Sequence, residues 1–149
     1  QGLRTQTMMP VMEPEGARPT AGIVHTRSPY DVGETVDQLT DAIRAAGAKL
    51  FALVDHSGEA ASSGLSLRDT KLLIFGNPRG GTPVMVAAPL AAIDLPMKLL
   101  VWQDDGGAVW MSHLDPDWLA KRHGLTGDLA APLAAPGALA NRVAAADGK

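Results

Sequence analysis

A chain of 149 residues with 46% hydrophobic and 19% charged residues is long enough for one well-cored domain and too short for two comfortable ones. Thirteen basic residues against 16 acidic ones leave a net charge of −3 with no basic run, which excludes the electrostatic footprint of a nucleic-acid binder. Cysteine is absent, so disulfides, thiolate nucleophiles and Cys-ligated metal centres are excluded, and no apolar run approaches the roughly 18–20 residues that span a bilayer.

In chain order, residues 1–19 carry prolines and mixed charges without apolar periodicity and are expected to form an extended N-terminal tail. Gly22 to Thr26 predicts a first strand. Asp31 to Ala46 predicts a helix, with Val36, Leu39, Ile43 and Ala46 at helical spacing, Asp31 and Glu34 as a capping box and Gly47 as its stop. Ala48 to Asp55 predicts a strand with Leu50, Ala52 and Val54 on one face. A short helix over Ser57 to Ser63 ends at Gly64. Thr70 to Phe75 predicts a buried strand, and Thr82 to Ile93 a helix bent at Pro89. Met97 to Gln103 and Ala108 to Ser112 flank Asp104-Asp105-Gly106-Gly107, a hairpin signal in which the aspartates are expected to be solvated. Asp115-Pro116 opens a last helix to His123, ended by Gly124. Residues 126–149 are rich in Ala, Pro and Gly and predict a C-terminal tail with a short helix from Ala138 to Ala146.

The order β-α-β-(α)-β-α-β-β-α over residues 20–125 predicts an α+β two-layer sandwich, with one mainly antiparallel or mixed sheet covered by helices on one face. The uncovered face suggests a homodimer. Because the chain begins at Gln1 rather than Met, a processed, exported product is expected, periplasmic in location, with a trimmed cytoplasmic protein as the alternative.

The segment Phe75-Gly76-Asn77-Pro78-Arg79-Gly80-Gly81-Thr82-Pro83 carries the most local information. Asn77-Pro78 stops the strand, Gly80 and Gly81 permit positive φ or close backbone approach, and Thr82-Pro83 suits a helix start. The segment is therefore expected to be a structural turn in which Asn77 bonds its own backbone; the alternative is a site whose backbone N–H groups, with Asn77, Arg79, Gly80, Gly81 and Thr82, hold an anion or small ligand. Gly76 and Gly81 have the outline of a P-loop, but the lysine before Thr82 is missing, which argues against nucleotide hydrolysis.

Several short motifs together resemble the domain of unknown function 302 family. They are Gly76-Asn77-Pro78, Gly81-Thr82-Pro83, Ala88-Pro89-Leu90, Asp94-Leu95-Pro96-Met97-Lys98 and Leu119-Ala120-Lys121-Arg122-His123-Gly124-Leu125. Glu34-Thr35-Val36, Val54-Asp55-His56 and Gly64-Leu65-Ser66-Leu67-Arg68 fall in the same order. The resemblance covers about residues 20–125 and implies a compact, dimer-forming α/β domain with no assigned activity. Where the family usually shows a Ser-Tyr-Asn-like segment, this chain has Ser112-His113-Leu114, so a site common to the family would be altered here.

Four histidines sit in separate elements. His56, His113 and His123, with Asp115, are the candidate metal ligands if the fold gathers them at one end of the sheet; no HxxxH, HxH or HExxH spacing pre-assembles them, and His25 is expected at the surface. No Gly-x-Ser-x-Gly elbow presents a serine. Trp102 and Trp110 lie symmetrically about the hairpin turn as a cross-strand pair or part of an interface, and Trp118 is the expected interface anchor. No cofactor is implied. The function expected is that of a non-enzymatic binding or assembly module, an accessory subunit docking through its tails on a larger, membrane-associated complex. The alternative is a small-ligand, anion or metal-binding protein with its site at the Gly76–Thr82 loop and the nearby histidines.

Overall fold

The computed structural model describes residues 13–17 and 20–146; the remainder of the expected N-terminal tail lies outside them. Five strands, β1 (Ile23–Arg27), β2 (Lys49–Asp55), β3 (Thr70–Gly76), β4 (Met97–Gln103) and β5 (Val109–Leu114), form one sheet in the order β1-β5-β4-β3-β2. Every pairing is antiparallel, so the mixed-sheet alternative falls. The helices are α1 (Val32–Ala45), α2 (His56–Ser62), α3 (Pro78–Ala87), α4 (Pro116–His123) and α5 (Ala135–Ala145). The α+β order is as expected, with α5 added at the end.

Sheet register separates the two faces. Leu73, Phe75, Met97, Leu99, Val101 and Met111 alternate along β3, β4 and β5 and all enter the core. Helix α1 packs along β2, β3 and β4, while α5 packs against β1, β4, β5 and α1. Leu39 and Ile43 of α1 are fully buried, and each such side chain contributes about 1.5–3 kcal/mol of transfer free energy. Asp31 caps α1 by accepting from the Glu34 backbone N–H at 2.8 Å, and Gly47 turns the chain away at φ 79°. Inside this helix start lies a buried hydroxyl pair with a fixed direction. Thr35 Oγ1 donates to the Asp31 carbonyl (2.7 Å), leaving Ser28 Oγ–H to donate to Thr35 at 2.6 Å.

Three expectations are corrected. The first concerns β2, where Leu50 pairs with Phe75 and Ala52 with Ile74, so a bulge at Phe51 puts Ala52 and Val54 on the face opposite Leu50. The second concerns α3, which begins at Pro78 rather than Thr82; Asn77 is its cap, Pro78 its first residue, and Pro83 lies inside it. The helix stops at Ala87, and Pro89–Ile93 continues as a separate 3-10 segment. The third concerns residues 126–146, which fold onto their own domain. Leu133, Pro136, Leu139, Ala140 and Val143 recur every three or four residues and all are buried, so hydrophobic burial holds this segment in the core.

The hairpin between β4 and β5 is held by Asp104, which is 2% exposed rather than solvated. Its carboxylate accepts from the backbone N–H groups of Glu15, Gly106 and Ala108 and from Trp110 Nε1, at 2.9–3.0 Å. The stretch 13–17 is thereby tied to the turn, with the Asp105 N–H donating back to the Glu15 carbonyl at 3.3 Å.

Candidate ligand cavity

Where β3 leaves the sheet and α3 begins, the C-terminus of α1, the first residues of β2 and β4, α3 and α5 enclose an open cavity of about 600 Å³. Its walls are mostly apolar: Phe75 and Met97 from the core face, Val84 and Met85 from α3, Leu133 and Leu139 from the C-terminal segment. Polar side chains are few, namely Asn77, Thr82 and Arg142. Arg142 is the one charged residue of the lining among the described residues. It is exposed on the last turn of α5 and forms no ion pair among the described residues. A cavity of this size and lining suits a small molecule with an apolar body and a few polar atoms.

Of the residues expected at a loop site, Asn77, Gly80, Gly81 and Thr82 line this cavity, and Arg79 lies outside its lining. The backbone cradle does not form. Pro78 has no N–H, the Arg79 N–H is taken by Asn77 Oδ1 at 3.0 Å, and those of Gly80 and Gly81 both donate to the Asn77 carbonyl at 2.9 Å. Gly80 serves packing instead, because a Cβ there would sit 3.3 Å from the Pro132 side chain.

The metal expectation fares differently. Among the described residues no group of three or more His, Asp or Glu side chains is placed to hold an ion. His56 is exposed at the start of α2. His113 is buried, its Nδ1–H donates to the Leu114 carbonyl at 2.9 Å, and its Nε2, beside Gly137, is buried without a hydrogen-bond partner among the described residues. His123 Nε2 lies 2.6 Å from Asp94 Oδ2, which Arg122 Nε also reaches at 2.9 Å. Burial works to raise the Asp94 carboxyl, but the hydrogen bonds from His123 and Arg122 outweigh it and hold the group below the ordinary carboxylate range. Asp115 caps α4, accepting from the Asp117 N–H at 2.9 Å. These four residues thus have local structural partners or stand apart.

Trp102 and Trp110 are direct cross-strand partners. Trp110 is only 3% exposed and donates to Asp104, so it is not available as an interface residue; Trp102 is half-buried and donates to Ser112 Oγ at 2.9 Å. Trp118 stays 45% exposed, with the Arg122 guanidinium 5.6 Å from its ring. Sequence reasoning missed the bond between His25 Nδ1 and Ser112 Oγ, 2.7 Å long. Burial pushes the His25 imidazole below its ordinary value, against a raising effect of Glu13 and with a smaller lowering one from His113. Ser112 is buried, and its Oγ accepts from Trp102 Nε1 as well as meeting His25 Nδ1. The cavity wall from Pro132 to Arg142 was also missed; the recurrence of Leu133, Pro136, Leu139, Ala140 and Val143 was the available signal.

The fold and cavity together define a small α+β domain with an open apolar site beside a one-layer antiparallel sheet. Residues 24–140 match the sequence model of the family described as Domain of unknown function DUF302, and the chain belongs to that family. It is similar in structure to a crystal structure of an uncharacterized conserved protein DUF302 from Bacillus stearothermophilus, at a TM-score of 0.70 and 17% identity over 84% of this chain and 97% of that one. It is 40% identical over 112 residues to proteins named fluoride-specific ion channel FluC 1 in Brucella suis biovar 1 and FluC 2 in Brucella melitensis biotype 1. The match takes in 74% of this chain but only 44% and 42% of those proteins, so the chain spans under half the length of the curated relatives it matches.

Proposed function

We propose that this chain is a non-enzymatic binding domain whose ligand site is the cavity between α3 and α5. The observation that carries this is the cavity itself, about 600 Å³ of apolar-walled space opening beside Asn77 and Thr82. Ligand surface buried there gains the favourable transfer of apolar groups from water. A neutral fluorophore, N-phenyl-1-naphthylamine, tests the proposal. It is expected to brighten on binding the wild-type protein and to lose at least about tenfold in affinity in Ala138→Trp, where an indole fills the space of a methyl group. Binding unchanged by Ala138→Trp, or no binding by the wild type, removes the proposal.

A second reading, that the domain is an accessory module of a membrane-associated assembly, draws support from the relatives named as fluoride channels. Their matched segment is less than half of each chain, so a domain of this type is carried there beside a larger remainder. In this reading the domain docks through the exposed Trp118 and the Ile23–Leu114 strand pair beside it, not through residues 126–146, which its own core occupies. A pull-down of detergent-solubilised Brucella suis FluC 1 lacking its matched segment, with the full chain as bait, is expected to retain the channel and to lose it with Trp118→Asp. Failure to retain it overturns this second reading and leaves the cavity proposal standing.

A further inference from the structure

We infer that the cavity selects amphipathic anions, with the apolar body between α3 and α5 and the anionic group paired with Arg142; this rests on the ligand-binding reading above. Three observations lead here. The walls are apolar on every side named, so the ligand's body has to be hydrocarbon-like. Among the described residues no Asp or Glu belongs to the lining, so none of them repels an anion or attracts a cation there. Arg142 is the single formal charge there and has no ion-pair partner among the described residues.

The chemistry of the guanidinium narrows the class. Its planar fork of N–H donors matches a carboxylate, sulfonate or phosphate in bidentate fashion, and it is charged at all accessible pH values. The α3 N-terminus offers no competing cradle, because the Arg79, Gly80 and Gly81 N–H groups are already engaged. Selection therefore has to come from Arg142. Arg142 also sits where its charge favours the carbonyl end of α5. That helix-end role stabilises the fold but does not distinguish an acid from an alcohol.

The test compares decanoate, decanol and decyltrimethylammonium, each displacing N-phenyl-1-naphthylamine from the wild type, Arg142→Gln and Arg142→Glu. Decanoate is expected to bind about three- to tenfold more tightly than decanol to the wild type, a modest ratio because Arg142 is exposed and screened by salt. Arg142→Gln is expected to equalise the two, and Arg142→Glu to favour the ammonium, each displacement being referred to the dye affinity measured for that same protein. Equal binding of decanoate and decanol to the wild type, or a preference that survives Arg142→Gln, overturns the inference while dye binding keeps the cavity reading intact. A lower melting temperature in Arg142→Gln with the acid preference unchanged assigns Arg142 to the helix end alone and overturns it too. Absence of dye binding in the wild type removes both proposals.

Discussion

At the scale of single residues, Asp104 carries the sharpest structural consequence. A buried carboxylate with four N–H donors is satisfied only as an anion, and its removal strands those donors. Asp104→Ala is expected to cost about 2–3 kcal/mol in urea unfolding. Burial works to raise the Asp104 carboxyl, but the bonds from Glu15, Trp110, Ala108 and Gly106 together hold it below the ordinary range. An unfolded aspartate takes up its proton near pH 4, before the folded one does. The contribution of Asp104 is therefore full above that pH and is lost as pH falls through its lowered folded value. Asp104→Asn is expected to be less stable at pH 7 and to show a shallower loss of stability as pH falls below about 4; an unchanged acid slope contradicts this. His25 has the same sign at higher pH. With its folded pKa lowered by burial, its contribution is complete above an unfolded value of about 6.5 and declines as pH drops through the folded one. His25→Gln is expected to flatten the stability profile below about pH 6.5 without changing the carboxylate limb below about pH 4.

Among the elements, α3 and α5 decide whether the cavity exists. Asn77 holds the start of α3 by accepting from the Arg79 N–H, and loss of such a cap costs about 1 kcal/mol. Leu139 places α5 in the core at 7% exposure. Leu139→Ala is expected to destabilise by about 2–4 kcal/mol, measured by thermal or urea unfolding, and a chain stopped at Ala130 is expected not to fold. A free C-terminal tail would tolerate both changes. The elements whose signals are local were legible in the sequence. Asp31 and Glu34 with the Val36, Leu39 and Ile43 spacing predict α1, and the Asp-Asp-Gly-Gly turn predicts the β4–β5 hairpin. What escaped depends on tertiary context. Gly80 and Gly81 are expected in a turn ahead of a helix starting at Thr82, yet Pro132 packs against Gly80 and α3 runs through both. The bulge at Phe51 reverses a face that simple alternation assigns. Alanine and proline made residues 126–146 read as a tail, although their few large apolar side chains fall on one helical stripe.

At the scale of the molecule, the sheet has one face under α1 and α5, and its β1–β5 edge exposes Ile23 and Leu114 at 37% and 39% beside Trp118. The homodimer anticipated from the uncovered face is a proposal for that patch. Sedimentation equilibrium is expected to give a dimer for the wild type and a monomer for Trp118→Asp; a monomeric wild type across the accessible concentration range contradicts it. The cavity lies at another place, its lining sharing no residue with that patch. Its walls come from segments more than 90 residues apart, Ala46 to Arg142, which explains why the Gly76–Thr82 half of the site was visible in the sequence and the α5 half was not.

The most direct measurement is a ¹H–¹⁵N correlation titration of the full chain with N-phenyl-1-naphthylamine. Amide shifts are expected to concentrate on Asn77, Met85, Leu133, Ala138 and Arg142, with His25, Trp102 and Ser112 on the other side of the sheet unmoved. Shifts centred on Ile23, Leu114 and Trp118, or none at a saturating dye concentration, would contradict a ligand site between α3 and α5.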